Sequence, residues 1–191
     1  RLRSRGLGDV YKRQVSPQML NLSTGAPFQP FNRSPQIRYQ YKANSRVQLT
    51  ASVLWQLQYL SSGPKGMSED YIKNSCIPEM FVGADFTPAD GWLMGLGAHM
   101  ISLKPRTSTE WKEQTFKVNE RMTAFSYEAH LKYSGRNYTF AAKTLMASAL
   151  DHTALLGGYG VSSVDSRTGE QGYTPFRHST TVSYTHLDAA D

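Results

Sequence analysis

The chain has 191 residues and a formal net charge of +6, from 21 Lys and Arg against 15 Asp and Glu. Mean hydropathy is −0.48, and no apolar run approaches the ~18 residues a membrane-crossing helix needs, which excludes a helical membrane protein but not a barrel, whose strands alternate polar and apolar residues. Arg1, Arg3, Arg5, Lys12 and Arg13 crowd the first segment, and the remaining charge is spread too thinly for a nucleic-acid surface. Cys76 stands alone, so neither an intrachain disulfide nor a Cys-based metal site can form.

Residues 15–35 carry Pro17, Pro27, Pro30 and Pro35 and read as a loop. Strict alternation then begins. In 36–43, Ile37, Tyr39 and Tyr41 share one face and Arg38, Gln40 and Lys42 the other. In 46–60, Val47, Leu49, Ala51, Val53, Trp55, Leu57 and Tyr59 oppose Gln48, Thr50, Ser52, Gln56 and Gln58. A period of two over this length predicts a strand, because a helix would scatter these residues around its circumference. The pattern recurs in 79–87 and 92–104, where Leu93, Ile101 and Leu103 blur the polar face, and then in 119–134 and 137–150. Six antiparallel strands are expected, each paired with its sequence neighbours.

The connections alternate in length. Asn44-Ser45, Pro88–Gly91 and Gly135-Arg136 are tight turns. Residues 61–78, 105–118 and 151–181 are long loops. Keeping all long loops at one end is the habit of an up-and-down transmembrane β-barrel. The strands are also longer than the ~5–6 residues usual in soluble proteins. An all-β, antiparallel barrel fragment over residues 15–181 is therefore expected. Tyr41, Phe86, Trp92, Tyr133 and Tyr138 near the short turns, with Trp55 and Tyr59 toward the long loops, suit aromatic girdles at two membrane boundaries. Arg38, Gln40, Lys42, Gln48, Gln56, Gln58, Asp85, Glu128, His130, Lys132 and Lys143 would line the barrel interior.

No catalytic constellation stands out. Gly95-Leu96-Gly97 and Gly157-Gly158-Tyr159-Gly160 lack the Lys and the strand-to-helix setting of a phosphate loop. His99, His130, His152 and His178 have no metal-binding spacing, and neither metal nor cofactor is expected. Asp151-His152 beside scattered serines is the one arrangement a hydrolase reading could use.

The stretches PFQPFNRSPQIRYQYK, GWLMGLGAH and RNYTFAAKTL resemble outer-membrane porins, of the DcaP-like and related kinds, across residues 19–181. The resemblance implies a large barrel in the bacterial outer membrane, in contact with its lipids and often trimeric, passing small hydrophilic or anionic solutes. It transfers no site residue. A passive channel is the leading expectation, with an outer-membrane barrel enzyme of phospholipase type or a soluble lipocalin-like binder as alternatives; nucleic acid is not an expected partner. The ends, RLRSRGLGDVYKRQ and SYTHLDAAD, resemble translated sequencing-adaptor read-through. That likeness implies a gene continuing in both directions, and poor packing of residues 1–14 and 182–191.

One register is specified in advance. With Gly135-Arg136 as a two-residue turn, Ser134 opposes Asn137, Tyr133 opposes Tyr138 and Glu128 opposes Lys143. An opposed charge pair contributes roughly 0.2–1 kcal/mol.

Overall fold

The computed structural model describes residue 30 and residues 33–187. Residues 1–14 and most of the 15–35 loop lie outside the described residues, as do residues 188–191.

In chain order the elements are β1 (Gln36–Lys42), β2 (Val47–Leu54), a small hairpin of β3 (Ser62–Gly63) and β4 (Gly66–Met67), α1 (Asp70–Ser75), β5 (Glu79–Phe86) and β6 (Trp92–Leu103). There follow a second hairpin, β7 (Ser108–Trp111) and β8 (Gln114–Lys117), then β9 (Met122–Ser134), β10 (Tyr138–Ser148) and a 3-10 turn at Asp151–Thr153. A third hairpin, β11 (Tyr159–Val164) and β12 (Gln171–Pro175), leads into β13 (Arg177–Leu187). The fold is all-β. Seven strands form one sheet in the order β1-β2-β5-β6-β9-β10-β13, with every neighbouring pair antiparallel. β1 and β13 are its edges, and among the described residues the sheet does not close on itself.

The six expected strands are all present as sequential neighbours, with three corrections to their surroundings. β2 stops at Leu54, so Trp55, Gln56, Gln58 and Tyr59 leave the sheet although the alternation continues through them. The reason lies in the partner on the β1 side. Trp55 N–H still reaches the Pro35 carbonyl at 3.0 Å, but Pro35 before β1 has no N–H to return, and the ladder with β1 ends there. The long loops are also not bare: they carry the three small hairpins, α1 and the 3-10 turn.

The third correction is β13. Residues 177–181 were expected in a loop and 182–187 in a poorly packed tail, yet the whole stretch pairs with β10, from Ser148↔Arg177 to Tyr138↔Leu187. Val182 is buried opposite Lys143, and the hydroxyls of Thr144 and Thr181 meet at 2.9 Å. Thr180, Thr181, Val182, Tyr184 and Thr185 favour strand geometry. Their hydroxyls hide the apolar alternation by which the other strands are read.

The short turns have local causes. Asn44 Oδ1 accepts the backbone N–H groups of Arg46 and Val47, both at 2.8 Å, which closes the β1–β2 turn. Gly91 sits at φ +79° with Ser134 O 2.4 Å from where a Cβ would stand, and its carbonyl accepts Ser134 N–H at 2.8 Å. Only glycine meets both conditions.

Burial separates the two faces of the sheet in an unusual sense. Ile37, Tyr39, Leu49, Val53, Val82, Leu96, Phe125, Tyr127 and Met146 point outward and are 41–68% exposed. Thr50, Ser52, Asp85, Ser126, Glu128, His130 and Lys143 point to the opposite face and are buried. The polar side is inside and the apolar side outside.

At the long-loop end the inner face turns apolar and is packed. Leu54, Phe81, Leu145 and Ala147 from the strands meet Leu150 and Leu155 from the loop after β10. Beside them Ile101, Leu103, Met122 and Ala124 pack on Tyr71 and Ile72 of α1. Ile101 and Leu103, which blur the polar face of β6 in the sequence, are fully buried here.

Candidate functional site

The inner face is built by side chains that cross over glycines. β6 contributes Gly95 and Gly97, directly opposite His130 and Glu128 of β9. A Cβ on Gly95 would lie 2.4 Å from the His130 ring and 2.7 Å from Asp85 Oδ1. One on Gly97 would lie 2.8 Å from Glu128 Cγ and from the Phe81 ring. The Gly-Leu-Gly of β6, uninformative as a motif, is the floor on which these residues lie flat. Over that floor His130 Nε2 meets Asp85 Oδ1 at 3.2 Å, and Lys143 Nζ meets Glu128 Oε2 at 3.0 Å.

The register across β9 and β10 differs from the expected one by two residues. Ser134 pairs with Thr139, His130 with Lys143 and Glu128 with Leu145. Gly135 N–H reaches the Tyr138 carbonyl at 2.8 Å, so the central residues of the turn are Arg136 and Asn137, one position later than expected. A slip of two preserves which face each side chain occupies, whereas a slip of one would exchange the faces. Glu128 and Lys143 therefore remain on one face and meet diagonally rather than directly opposed. Tyr133 pairs with Phe140, and its ring still contacts Tyr138 at 5.3 Å between centroids.

A second cluster lies where the inner face meets the long loops. Glu79, at the start of β5, is buried and receives Gln56 Nε2 at 2.7 Å. His99 Nε2 of β6 lies 3.2 Å from it and His152 Nε2 lies 3.1 Å away. Gln56 also binds Ser61 through two hydrogen bonds, at 2.8 and 3.0 Å. Next to His152, Asp151 Oδ2 accepts the Ser62 N–H at 2.7 Å. One carboxylate thus ties two strands to the loops that follow β2 and β10. Burial alone lowers the pKa of His152, but the charge and hydrogen bond of Glu79, with Asp151 nearby, outweigh it and raise the pKa above its ordinary value.

Of the interior residues expected from sequence, Arg38, Gln40, Lys42, Gln48, Asp85, Glu128, His130, Lys132 and Lys143 share the inner face by register. Gln56 is a buried loop tie and Gln58 is an exposed loop residue. Tyr41, Phe86, Trp92, Tyr133 and Tyr138 stand on the outer face near the short turns, with the Trp92 and Tyr133 rings 4.7 Å apart. Trp55 instead packs against the cluster under α1, and Tyr59 lies beyond the strand end. The Glu79 cluster has no signature in spacing, since its members come from separate loops and strands. Asp151-His152 is the part of it visible in sequence, and its partners are Ser62 and Glu79.

Against known proteins, no family model, no curated protein and no solved structure matches this chain.

Proposed function

We propose that this chain is part of an outer-membrane β-barrel of the porin type, a passive channel for small hydrophilic solutes with a weak preference for anions. The observation that carries the reading is the inverted sheet. An exposed contiguous apolar face is unfavourable in water, at roughly 1.5–3 kcal/mol for each large side chain left uncovered, and monomeric soluble proteins rarely tolerate one. Lipid removes that cost. Long loops gathered opposite short turns, and an aromatic row beside those turns, agree with it. A lipocalin-like binder would need its apolar face inside.

The loop from Ala149 to Gly158 packs against the inner face through Leu150 and Leu155 and is held by His152 on Glu79. In the intact barrel it is the segment that narrows the passage. The inner face carries Arg38, Lys42, Lys132 and Lys143 against Glu79, Asp85 and Glu128, which gives the expected bias toward anions.

A specific observation favours a second reading of the same barrel. Glu79, His99, Glu128 and Lys143 are almost sealed from water, as in a filled barrel that inserts without conducting. Reconstitution into lipid vesicles and planar bilayers separates the two. Insertion with ion conductance, and a reversal potential of anion-selective sign in a salt gradient, is the expected result. Insertion without conductance selects the filled barrel, and failure to insert defeats the membrane reading.

A further inference from the structure

The loop layer holds a feature that neither reading uses. An open cavity of about 490 Å³ lies among Arg106, Gly157–Gly158, Tyr159, Gln171 and Tyr173, with Ser62 at its side. This is within the ~300–1,000 Å³ usual for small-molecule sites. Tyr159 and Tyr173 meet edge to face, with centroids 5.5 Å apart at 84°. Gly63 makes room for this arrangement, because a Cβ there would stand 2.5 Å from both the Tyr159 hydroxyl and the Tyr71 ring.

We propose that this cavity is a binding site for a neutral, hydroxyl-rich ligand, a saccharide of one or two rings. The polar groups are of both kinds: Gln171 and Ser62 donate and accept, whereas Arg106 only donates. That mixture suits hydroxyls, which do both. Two buried donors at the wall, Arg106 Nε and the Tyr159 hydroxyl, have no hydrogen-bond partner among the described residues. Leaving such a group unsatisfied costs about 1–3 kcal/mol, so a ligand oxygen reaching either gains affinity. Burial first, and Asp151 in part, raise the pKa of Tyr159, which keeps it a hydroxyl donor at neutral pH.

Charge decides against an ionic ligand. Arg106 already donates to Tyr173. Asp151 acts on Tyr159, and Glu120 and Glu170 act on Tyr173. An anion would face three carboxylates for one guanidinium, and a cation would face that guanidinium at the wall. A neutral ligand meets neither cost. The inference does not rest on the membrane reading, because the site lies wholly in the loop layer.

Calorimetric titration of the full 191-residue chain, held in lauryldimethylamine oxide because that detergent carries no sugar, tests the site with maltose and succinate as probes. Maltose is expected to bind saturably and succinate not to bind. Tyr159→Phe, which keeps the ring and removes the donor, should weaken maltose binding about tenfold, as loss of one hydrogen bond to a buried donor predicts. Val161 lines the same cavity from an exposed position, so Val161→Trp fills it without disturbing the core and should abolish binding; an unchanged near-ultraviolet circular dichroism spectrum confirms its fold. Absence of saturable maltose binding overturns the proposal, as does binding that Val161→Trp leaves intact. Succinate binding tighter than maltose overturns the choice of a neutral ligand.

Discussion

Lys143 and Glu128 form a 3.0 Å ion pair that is diagonal across β9 and β10, while the residue directly opposite Lys143 is His130. The pair is nearly excluded from water, with side-chain exposures of 4% and 2%. Its energetics follow the rule for buried rather than surface charges. Removing one partner strands the other, at a cost of about 3–5 kcal/mol. Lys143→Met and Glu128→Gln should each lower the midpoint of urea unfolding strongly. The double variant should recover most of the loss. Near-additive losses in that double-mutant cycle would show that the two side chains do not depend on each other.

Gly95→Val sets two added methyl groups where the His130 ring and Asp85 already lie within 2.7 Å of a Cβ. Overpacking of this kind costs about 1–3 kcal/mol. The expected outcome is a lower thermal midpoint, with Gly95→Val/His130→Ala recovering part of it. A single variant as stable as the parent would mean that the inner face is looser than its burial implies.

His152 makes the tie at the long-loop end depend on pH. Its folded pKa is raised by Glu79, so its contribution is fully present below the unfolded value of about 6.5 and is lost as pH rises through the folded value. The groups facing it are Glu79 and His99 on the sheet, with Asp151 alongside. Hydrogen exchange of residues 149–158 should accelerate as pH is raised from the unfolded pKa, after correction for the intrinsic pH dependence of exchange. His152→Gln should lack that step. The same step persisting in His152→Gln would assign the titration elsewhere.

Leu96 is 67% exposed at the middle of the outer face. In lipid, Leu96→Arg should cost about 2–4 kcal/mol and impair folding into vesicles. In water the same change adds charge to an exposed position and should leave stability within about 0.5 kcal/mol. Measuring folding with and without vesicles separates the environments. Equal behaviour in both would remove lipid as the cover for this face.

The period-two alternation of Val47–Val53, and of Thr123–Tyr133 further on, was enough to place strands, their faces and their sequential pairing. That information is local: each side chain's face follows from its neighbours along the chain, and period two has no competing reading over such lengths. Asn44 and Gly91 likewise announce turns through their own chemistry. Other features depend on residues distant in sequence. The end of β2 was decided by Pro35 on another segment, and the β9–β10 register by a turn centred on Arg136-Asn137 rather than one residue earlier. β13 paired through Thr-rich alternation that carries little hydrophobic contrast. The blurred inner face of β6 became legible only once α1 and the loop after β10 were seen to cover it. Glu79 drew its partners from β6 and two separate loops because a buried carboxylate has to find donors wherever the fold supplies them.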